Sequence, residues 1–528
     1  MLKILIDTDV LIDQLNVEST KDSLFDSILS KENSLSFWIS AVSIINIASL
    51  FNDTGRDRTH LLALIDRYPV IPVQMSILAE ALQDNNHDLE NRLQIETAKA
   101  FNVDLIVTKN GGRYNDVSIP SIKPDDFIKN FNHDNIKKVN KVPFLDLRTQ
   151  QGLIYNELEE RFSDIIANTG FILGKHVDEF EQSFADLQGA GYCIGVSSGT
   201  DALHIALQAL GIGSGDFVIV PANTFIATAE AVSHCGAVPV FADCDDFYNI
   251  DIDKVEKFLL SLNDEQRSKT KAIIPVHLYG QPVDMHNLMN LAEEHRLSVV
   301  EDACQAHLAQ WQGKRVGSFG AFGAFSFYPG KNLGAYGEAG ALITNNEKLY
   351  KKAKMLRQHG EIERYNHKVI GHNYRMEAFQ GAVLATKLKY IEMWTKQRQQ
   401  NAALYYELLS DVEEVELPQE QDGTESVYHL YVIQADDRNG LQKFLGDNGI
   451  GTGLHYPVPL HLQEAYRYLG YKEGDFPAAE RAAGRILSLP MYPELTEEQI
   501  RFVCSNIKAY YKKRSIYGFK NSGRTNPT

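Results

Sequence analysis

A surplus of basic residues is missing from this chain. Of its 528 residues, 52 are Lys or Arg and 69 are Asp or Glu, a formal charge of −17. Proteins that grip nucleic acid through its phosphates show the opposite balance, so no nucleic-acid partner is expected. Cysteine is sparse. Cys193, Cys235, Cys244, Cys304 and Cys504 are odd in number and form no CxxC pair. That excludes a disulfide framework or zinc ribbon and fits a reducing, cytoplasmic setting. Long apolar runs are also absent. The most apolar stretch, Trp38 to Phe51, is broken by Ser and Asn and falls short of the roughly 20 residues that cross a bilayer. Asp7 stands where a signal peptide would need its apolar core. The expectation is a soluble cytoplasmic protein with no membrane partner, of about three domains.

Two α/β rhythms run through the chain. In the first, Leu2-Lys-Ile-Leu-Ile and Asp104–Thr108 read as strands, with an amphipathic helix over Leu89–Ala100 between them. Alternating strands and helices imply a small parallel-sheet domain over residues 1–130. A polar linker follows at 131–141. The second rhythm has buried-strand patterns at Tyr192–Val196, Phe217–Pro221, Pro239–Ala242, Ala272–Val276, Leu297–Glu301, Ala324–Phe327 and Ala341–Thr344. Short apolar strands separated by helices suit a sheet covered on both faces. This large domain is placed at 142–375. A smaller α+β part follows at 376–511, opening on a long helical stretch from Glu377 to Leu409, and a polar tail at 512–528 ends the chain.

Three segments carry chemistry. Ser197-Ser198-Gly199-Thr200 follows a strand and opens a helical pattern, so it offers hydroxyls and free backbone N–H groups to an anion such as phosphate. Alone it also reads as a helix cap with no ligand. Asp302, in Val-Val-Glu-Asp-Ala-Cys-Gln305, sits at the tip of a buried strand, the end where open sheets bind ligands. A carboxylate there needs a cation or strong donors, unless it only caps the next helix. Lys331 follows the aromatic strand Phe325-Ser326-Phe327-Tyr328 in a Pro-Gly turn. A buried lysine is an amine nucleophile; a surface loop lysine is the commoner fate. The Gly330-Lys331 pair fails the phosphate-loop pattern, because Phe stands at 325 and Asn at 332. Together, a phosphate cup, a strand-tip carboxylate and an amine are the parts that hold pyridoxal 5′-phosphate (PLP).

From Val142 to about Tyr511 the chain closely resembles sugar-nucleotide aminotransferases of the DegT/DnrJ type. The carrying segments are SSGTDAL, VPANTFIATAEA, EDACQAH, FSFYPGKNLGAYGEAGALITN, GHNYRMEAFQGAVL and HYPVPLHLQ. The resemblance implies the aspartate aminotransferase fold (PLP-dependent fold type I), with a large mixed-sheet domain and a smaller C-terminal one. By position, Lys331 matches the PLP lysine and Asp302 the partner of the ring nitrogen. Ser198, Gly199, Thr200 and Ser326 match phosphate ligands, Gln305 a neighbour of the phenolic oxygen and Phe225 the residue stacked on the ring. Asn373 matches a residue that reaches the phosphate from the second subunit of a homodimer. Tyr328, His455, Tyr456 and His461 fall where the family handles its substrate. No carboxylate or Cys joins the two histidines at metal-site spacing, so no metal is expected. Leu308 departs from the pattern, since relatives commonly carry Gly there. The implied reaction is amination of a nucleotide-linked keto-deoxysugar, best matched by dTDP-3-keto-6-deoxyhexoses, with glutamate as donor. A Lys at 331, where dehydrating relatives carry His, favours transamination.

Residues 1–130 resemble PIN domains, metal-dependent ribonucleases, through ILIDTDVLID, ISAVSIINI and HDLENRLQIETAKAFNVDLIVTKN. Such nucleases cluster carboxylates around divalent metal. Asp7 occupies one such position, but Asn46, Asn91 and Arg113 stand where acids are expected, with Asp88 and Asp104 nearby. The expectation is a domain without nuclease activity. Two rivals to the enzyme reading remain: a non-catalytic PLP-binding regulator, and a ribonuclease acting through the first domain.

Overall fold

The computed structural model describes residues 2–16, 35–54, 70–82, 88–101, 103–110, 119–124, 139 and 141–518. The chain divides into two compact units, Met1–Lys138 and Val139–Thr528. Most of the expected linker at 131–141, and Arg113, lie outside the described residues.

The first unit is built on five parallel strands. These are β1 (Leu2–Ile6), β2 (Leu35–Ser40), β3 (Val70–Ile71), β4 (Leu105–Val107) and β5 (Ser121–Ile122), in the order β3-β2-β1-β4-β5. Helices α1 (Thr8–Asn16), α2 (Ala41–Thr54), α3 (Met75–Ala81) and α4 (Leu89–Ala100) alternate with them. Ile4 and Ile6 are buried in one apolar cluster and Leu5 in another, as side-chain alternation along a strand covered on both faces demands.

The second unit is led by α5 (Arg148–Asn168) and α6 (Lys175–Gln188). Its sheet comprises β6 (Tyr192–Val196), β7 (Phe217–Pro221), β8 (Val238–Ala242), β9 (Thr270–Ile273), β10 (Ser298–Asp302), β11 (Phe322–Ser326) and β12 (Gly340–Thr344). The order is β6-β12-β11-β10-β9-β7-β8, and only β12 runs antiparallel to its neighbours. The sheet is therefore mixed. Apolar clusters fill both faces. Helix α7 (Gly199–Leu210) follows β6, α8 (Ala227–His234) follows β7, and α9 (Met285–His295) precedes β10.

Register places the chemistry. Ser326 lies opposite Gly340, Gly340 lies opposite Val196, and Asp302 lies opposite Ala324. Because β12 runs backwards, its first residue meets the last residues of β6 and β11. The Ser-Gly-Thr turn, Ser326 and Asp302 thus emerge at one end of the sheet, the end expected for a ligand.

The stretch from Glu377 to Leu409 is not one helix. It forms α10 (Ala378–Leu388) and α11 (Ile391–Leu409), broken at Lys389 and Tyr390. An antiparallel sheet of β13 (Val415–Glu416), β14 (Tyr431–Ala435) and β15 (Ile486–Leu489) packs with α11 and α12 (Glu497–Gly518) around its own apolar cluster. The expected tail is shorter than the sequence suggests, because α12 carries helix through Lys512 to Gly518. Among the described residues no helix is long and apolar enough to cross a membrane.

Candidate active site

A cavity of about 530 Å³ opens at that end of the second unit's sheet. Most of the residues singled out from the sequence line it: Ser198, Gly199, Thr200, Phe225, Asp302, Gln305, Ser326, Tyr328, Lys331, His455 and Tyr456.

The cup forms where β6 turns into α7. Ser198 is in extended conformation, and its Oγ caps the helix by accepting from Asp201 N at 3.1 Å. The amides of Gly199 and Thr200 belong to the first turn and have no intrahelical acceptor. A methyl group on Gly199 would stand 2.7 Å from Ser326 Cβ and 2.9 Å from Cys304 Sγ. Only glycine lets the helix end approach Ser326 this closely. Free amides, two hydroxyls and the positive end of a helix dipole converge there, and this donor set fits a phosphate.

Asp302 is buried and fully engaged. Its Oδ2 accepts from Thr228 Oγ1 at 2.8 Å and its Oδ1 from Cys304 N at 3.2 Å. Thr228 is in turn 3.0 Å from Thr224 Oγ1, and both threonines line the cavity. Lys331 faces the same space. Burial pulls its amine pKa below the ordinary lysine value, with Cys304 and Asp302 opposing. Gln305 has one fixed orientation, since its Oε1 accepts from Tyr279 N at 2.7 Å. Its amide nitrogen therefore remains a donor, and it reaches Tyr456 Oη at 3.0 Å. Burial, with Asp302 adding to it, pushes the Tyr456 phenol pKa upward. Phe225 is half exposed and lies 5.5 Å from the Tyr456 ring. His455 stacks on Phe144 and pairs with Ser488 Oγ at 2.8 Å. Burial, and then Lys331, lowers its pKa to about 4, so it is neutral at pH 7.

Two expected site residues lie outside this cavity. His461 is buried, 2.9 Å from Glu480 Oε1 and edge-on to Phe476, so its ring is committed to the fold. Asn373 is exposed and accepts from Arg375 Nε at 3.0 Å through its side-chain oxygen. Leu308 takes the left-handed backbone (φ 70°) that favours glycine, yet packs into the core rather than the cavity.

The cavity also contains groups not singled out from the sequence. His429 lines it, with Nδ1 3.2 Å from Asn332 Oδ1. Asn332 Nδ2 donates to Val427 O at 3.1 Å, so the imidazole must donate from Nδ1. Burial, then Lys331, holds its pKa well below the usual histidine value. Thr228 was legible as the residue one helical turn beyond Phe225; nothing local marked His429.

In the first unit, Asp7 stands at the carboxyl end of β1, and the groups hydrogen-bonded to its carboxylate are neutral. Its Oδ1 accepts from Thr8 N at 2.7 Å and its Oδ2 from Thr108 Oγ1 at 2.8 Å. Gln94 Nε2 donates to Ser43 Oγ at 2.8 Å and Thr8 Oγ1 at 3.2 Å. Ser43 and Gln94, each one turn from Asn46 and Asn91, bond to Thr8 beside this strand end. Asp104 is not near Asp7: its side chain accepts from Lys3 N at 3.0 Å, at the other end of β1. Asp88 caps α4. Among the described residues no cluster of three or more His, Cys, Asp or Glu side chains is placed to hold a metal ion.

A mixed sheet of this order, closing at one end over a single enclosed amine, is the frame of an aminotransferase. Within that class, the chain belongs to the DegT/DnrJ/EryC1/StrS aminotransferase family, whose model matches residues 153–508. A "Pleiotropic regulatory protein" of Geobacillus stearothermophilus is 45% identical over 70% of this chain and 99% of its own length. A UDP-N-acetyl-3-dehydro-alpha-D-glucosamine 3-aminotransferase of Acidithiobacillus ferrooxidans is 41% identical over 71% of this chain and 98% of its own. A dTDP-3-amino-3,4,6-trideoxy-alpha-D-glucose transaminase of Streptomyces venezuelae is 39% identical over 71% and 97%. Among solved structures, S. venezuelae DesV in complex with a ketimine intermediate superposes with a TM-score of 0.68, at 39% identity over 70% of this chain and 99% of that one. The family match leaves residues 1–152 outside it.

The lowered amine pKa has a direct consequence. In cofactor-free protein, Lys331 should acylate with limiting acetic anhydride at pH 7.5 faster than exposed lysines such as Lys175, because more of it is unprotonated. Peptide mass spectrometry across a pH series reads this out. A Lys331 profile that overlays that of Lys175 would contradict the expected shift.

Proposed function

We propose that this protein is a PLP-dependent aminotransferase that aminates the ketone of a nucleotide-linked deoxysugar. We assign glutamate as the amino donor and a dTDP-3-keto-6-deoxyhexose as the sugar class. The observation that carries this reading is the lowered Lys331 amine sharing one cavity with buried Asp302 and the open N-terminus of α7. The relatives named for 3-amino nucleotide sugars support the substrate class, and the resemblance of Gly453–Gln463 and Gly474–Pro477 to enzymes acting on dTDP-3-keto-6-deoxyhexoses supports the sugar assigned.

PLP supplies an aldehyde that condenses with amines and a protonated ring that takes up electron density when a neighbouring C–H bond breaks. The residues present fit it. Gly199, Thr200, Ser198 and Ser326 give its phosphate N–H and O–H donors. Asp302, oriented by Thr228 and Cys304 N, would keep a proton on the ring nitrogen. Gln305, its oxygen already occupied, donates toward the phenolic oxygen. Phe225 would cover the ring. Lys331, when not joined to the cofactor, would be the base placed to move a proton at the substrate carbon; burial lowers its amine pKa and so favours the neutral, proton-accepting form. Tyr328, His455 and Tyr456 contact the sugar, with neutral His455 suited to its hydroxyls. Asn373, exposed and outside its own cavity, serves the partner's cup in a homodimer.

For the first unit we propose a PIN-like fold without nuclease chemistry. The parallel sheet with Asp7 at a strand end supports the fold. Hydroxyl and amide neighbours around Asp7 support the lost activity, because they neither neutralise a divalent ion nor take a proton from its water.

Three outcomes are expected. Purified protein with PLP, glutamate and a dTDP-3-keto-6-deoxyhexose should release 2-oxoglutarate and an amino sugar, and Lys331→Ala should lower turnover by about 10²–10⁴-fold or more. Absence of amination with dTDP and UDP keto-sugars alike would favour the regulator reading. Mixing inactive Lys331→Ala with inactive Asn373→Ala chains should restore activity through heterodimers; a fully active monomer would contradict the shared site. The whole protein should leave structured and unstructured RNA intact in Mg²⁺ and Mn²⁺. Cleavage that vanishes on Asp7→Ala would overturn the reading of the first unit.

A further inference from the structure

Glu301 is fully buried one residue before Asp302 on β10, and strand alternation turns it to the opposite face of the sheet. It touches neither the cavity nor any residue given a chemical role above. Its carboxylate is nonetheless saturated with donors. Oε1 accepts from Phe319 N and Gly320 N, both at 2.7 Å, and Oε2 from Gly317 N at 2.6 Å. His277 Nε2 lies 3.2 Å from Oε2. That ring's tautomer is set by its surroundings: Nδ1 accepts from Val283 N at 3.1 Å, so Nε2 carries the hydrogen and donates. A protonated carboxyl would turn an O–H against these donors, so the arrangement calls for the ion.

The donors belong to the segments that build the active site. Gly317, Phe319 and Gly320 form the loop entering β11, which carries Ser326 and leads to Lys331. Gly317 takes the left-handed backbone (φ 88°), and a methyl group there would meet the Phe325 ring at 2.6 Å, so the loop closes only with glycine. Gly323 lies opposite Glu301 in the strand register. On the other side, His277 N donates to Asp302 O at 3.1 Å, and the segment runs on to Tyr279, whose amide orients Gln305.

We propose that Glu301 is the positioning residue of this site: one buried anion that fixes Asp302, the strand that leads to Lys331 and the Gln305 support relative to each other. The inference rests on the PLP reading and adds a residue to it. Asp302 holds the ring nitrogen's proton only while its strand tip is held. A positive ring nitrogen repels the proton on the nitrogen that joins Lys331 to the cofactor and lowers the pKa of that linkage. Loosening Asp302 weakens the ring charge and raises it.

The test is a pH titration of the visible absorbance of the PLP-loaded full chain. Glu301→Gln keeps the side chain's size but turns an NH₂ group against backbone N–H donors whichever way the amide lies. Its titration midpoint should rise by about half a pH unit or more, in the direction of Asp302→Asn and by less than that variant. A merely structural role would lower the melting temperature and cofactor content but leave the midpoint at the wild-type value, and that result would overturn the inference. If Glu301→Gln does not fold, His277→Asn removes one donor and should show a smaller rise; an unchanged midpoint there overturns the inference equally. Wild-type protein that takes up no PLP overturns the cofactor reading itself, a failure visible before any variant is made.

Discussion

Holding a carboxylate ionised at the buried tip of a strand is the constraint around which the second unit is organised. Removing such a charge from water costs several kcal/mol unless donors and a cation replace the solvent. Around Asp302 the donors are Thr228 Oγ1 and Cys304 N, and Lys331 shares the cavity. Burial pulls Lys331 toward its neutral form, so the pair does not simply neutralise itself. The single antiparallel strand β12 makes this arrangement possible, because reversing it brings the ends of β6 and β11 and their anion donors beside the same tip.

Much of this was legible in the sequence, for identifiable reasons. Strands β6, β7 and β12 are apolar runs bounded by turn residues, and the structure places them within a residue of their expected limits. β9 ends at Ile273, earlier than its apolar run, and Val276 pairs onward only through an isolated parallel bridge to Asp302. The cup, Asp302 and Lys331 were visible because each follows a strand, where function in a parallel sheet collects. His461 misled. It sits among aromatic and proline residues like its neighbour His455, but Glu480, 19 positions on, takes its ring into the fold. No local pattern reports a partner at that separation. His429 was hidden for the same reason: it enters the cavity through Asn332, 97 positions away in sequence.

The first unit shows the limit more sharply. Its helix over Leu89–Ala100 has the expected bounds, since Asp88 caps one end and the apolar stripe defines the face. Which polar residues reach this strand end depended on one helical turn. Ser43 and Gln94 bond to Thr8, the residue after Asp7, whereas motif spacing pointed to Asn46 and Asn91. All four are uncharged. Asp104 was the larger error, since proximity in sequence to a strand does not say which end of the sheet a side chain serves.

The claim on which the account turns is that Lys331 is the amine that binds the cofactor. Borohydride reduction of the PLP-treated full chain, followed by peptide mass spectrometry, tests it directly. The account predicts a pyridoxyl-phosphate adduct confined to the peptide containing Lys331, abolished when that residue is replaced. An adduct on another lysine, with Lys331 unmodified, would contradict it.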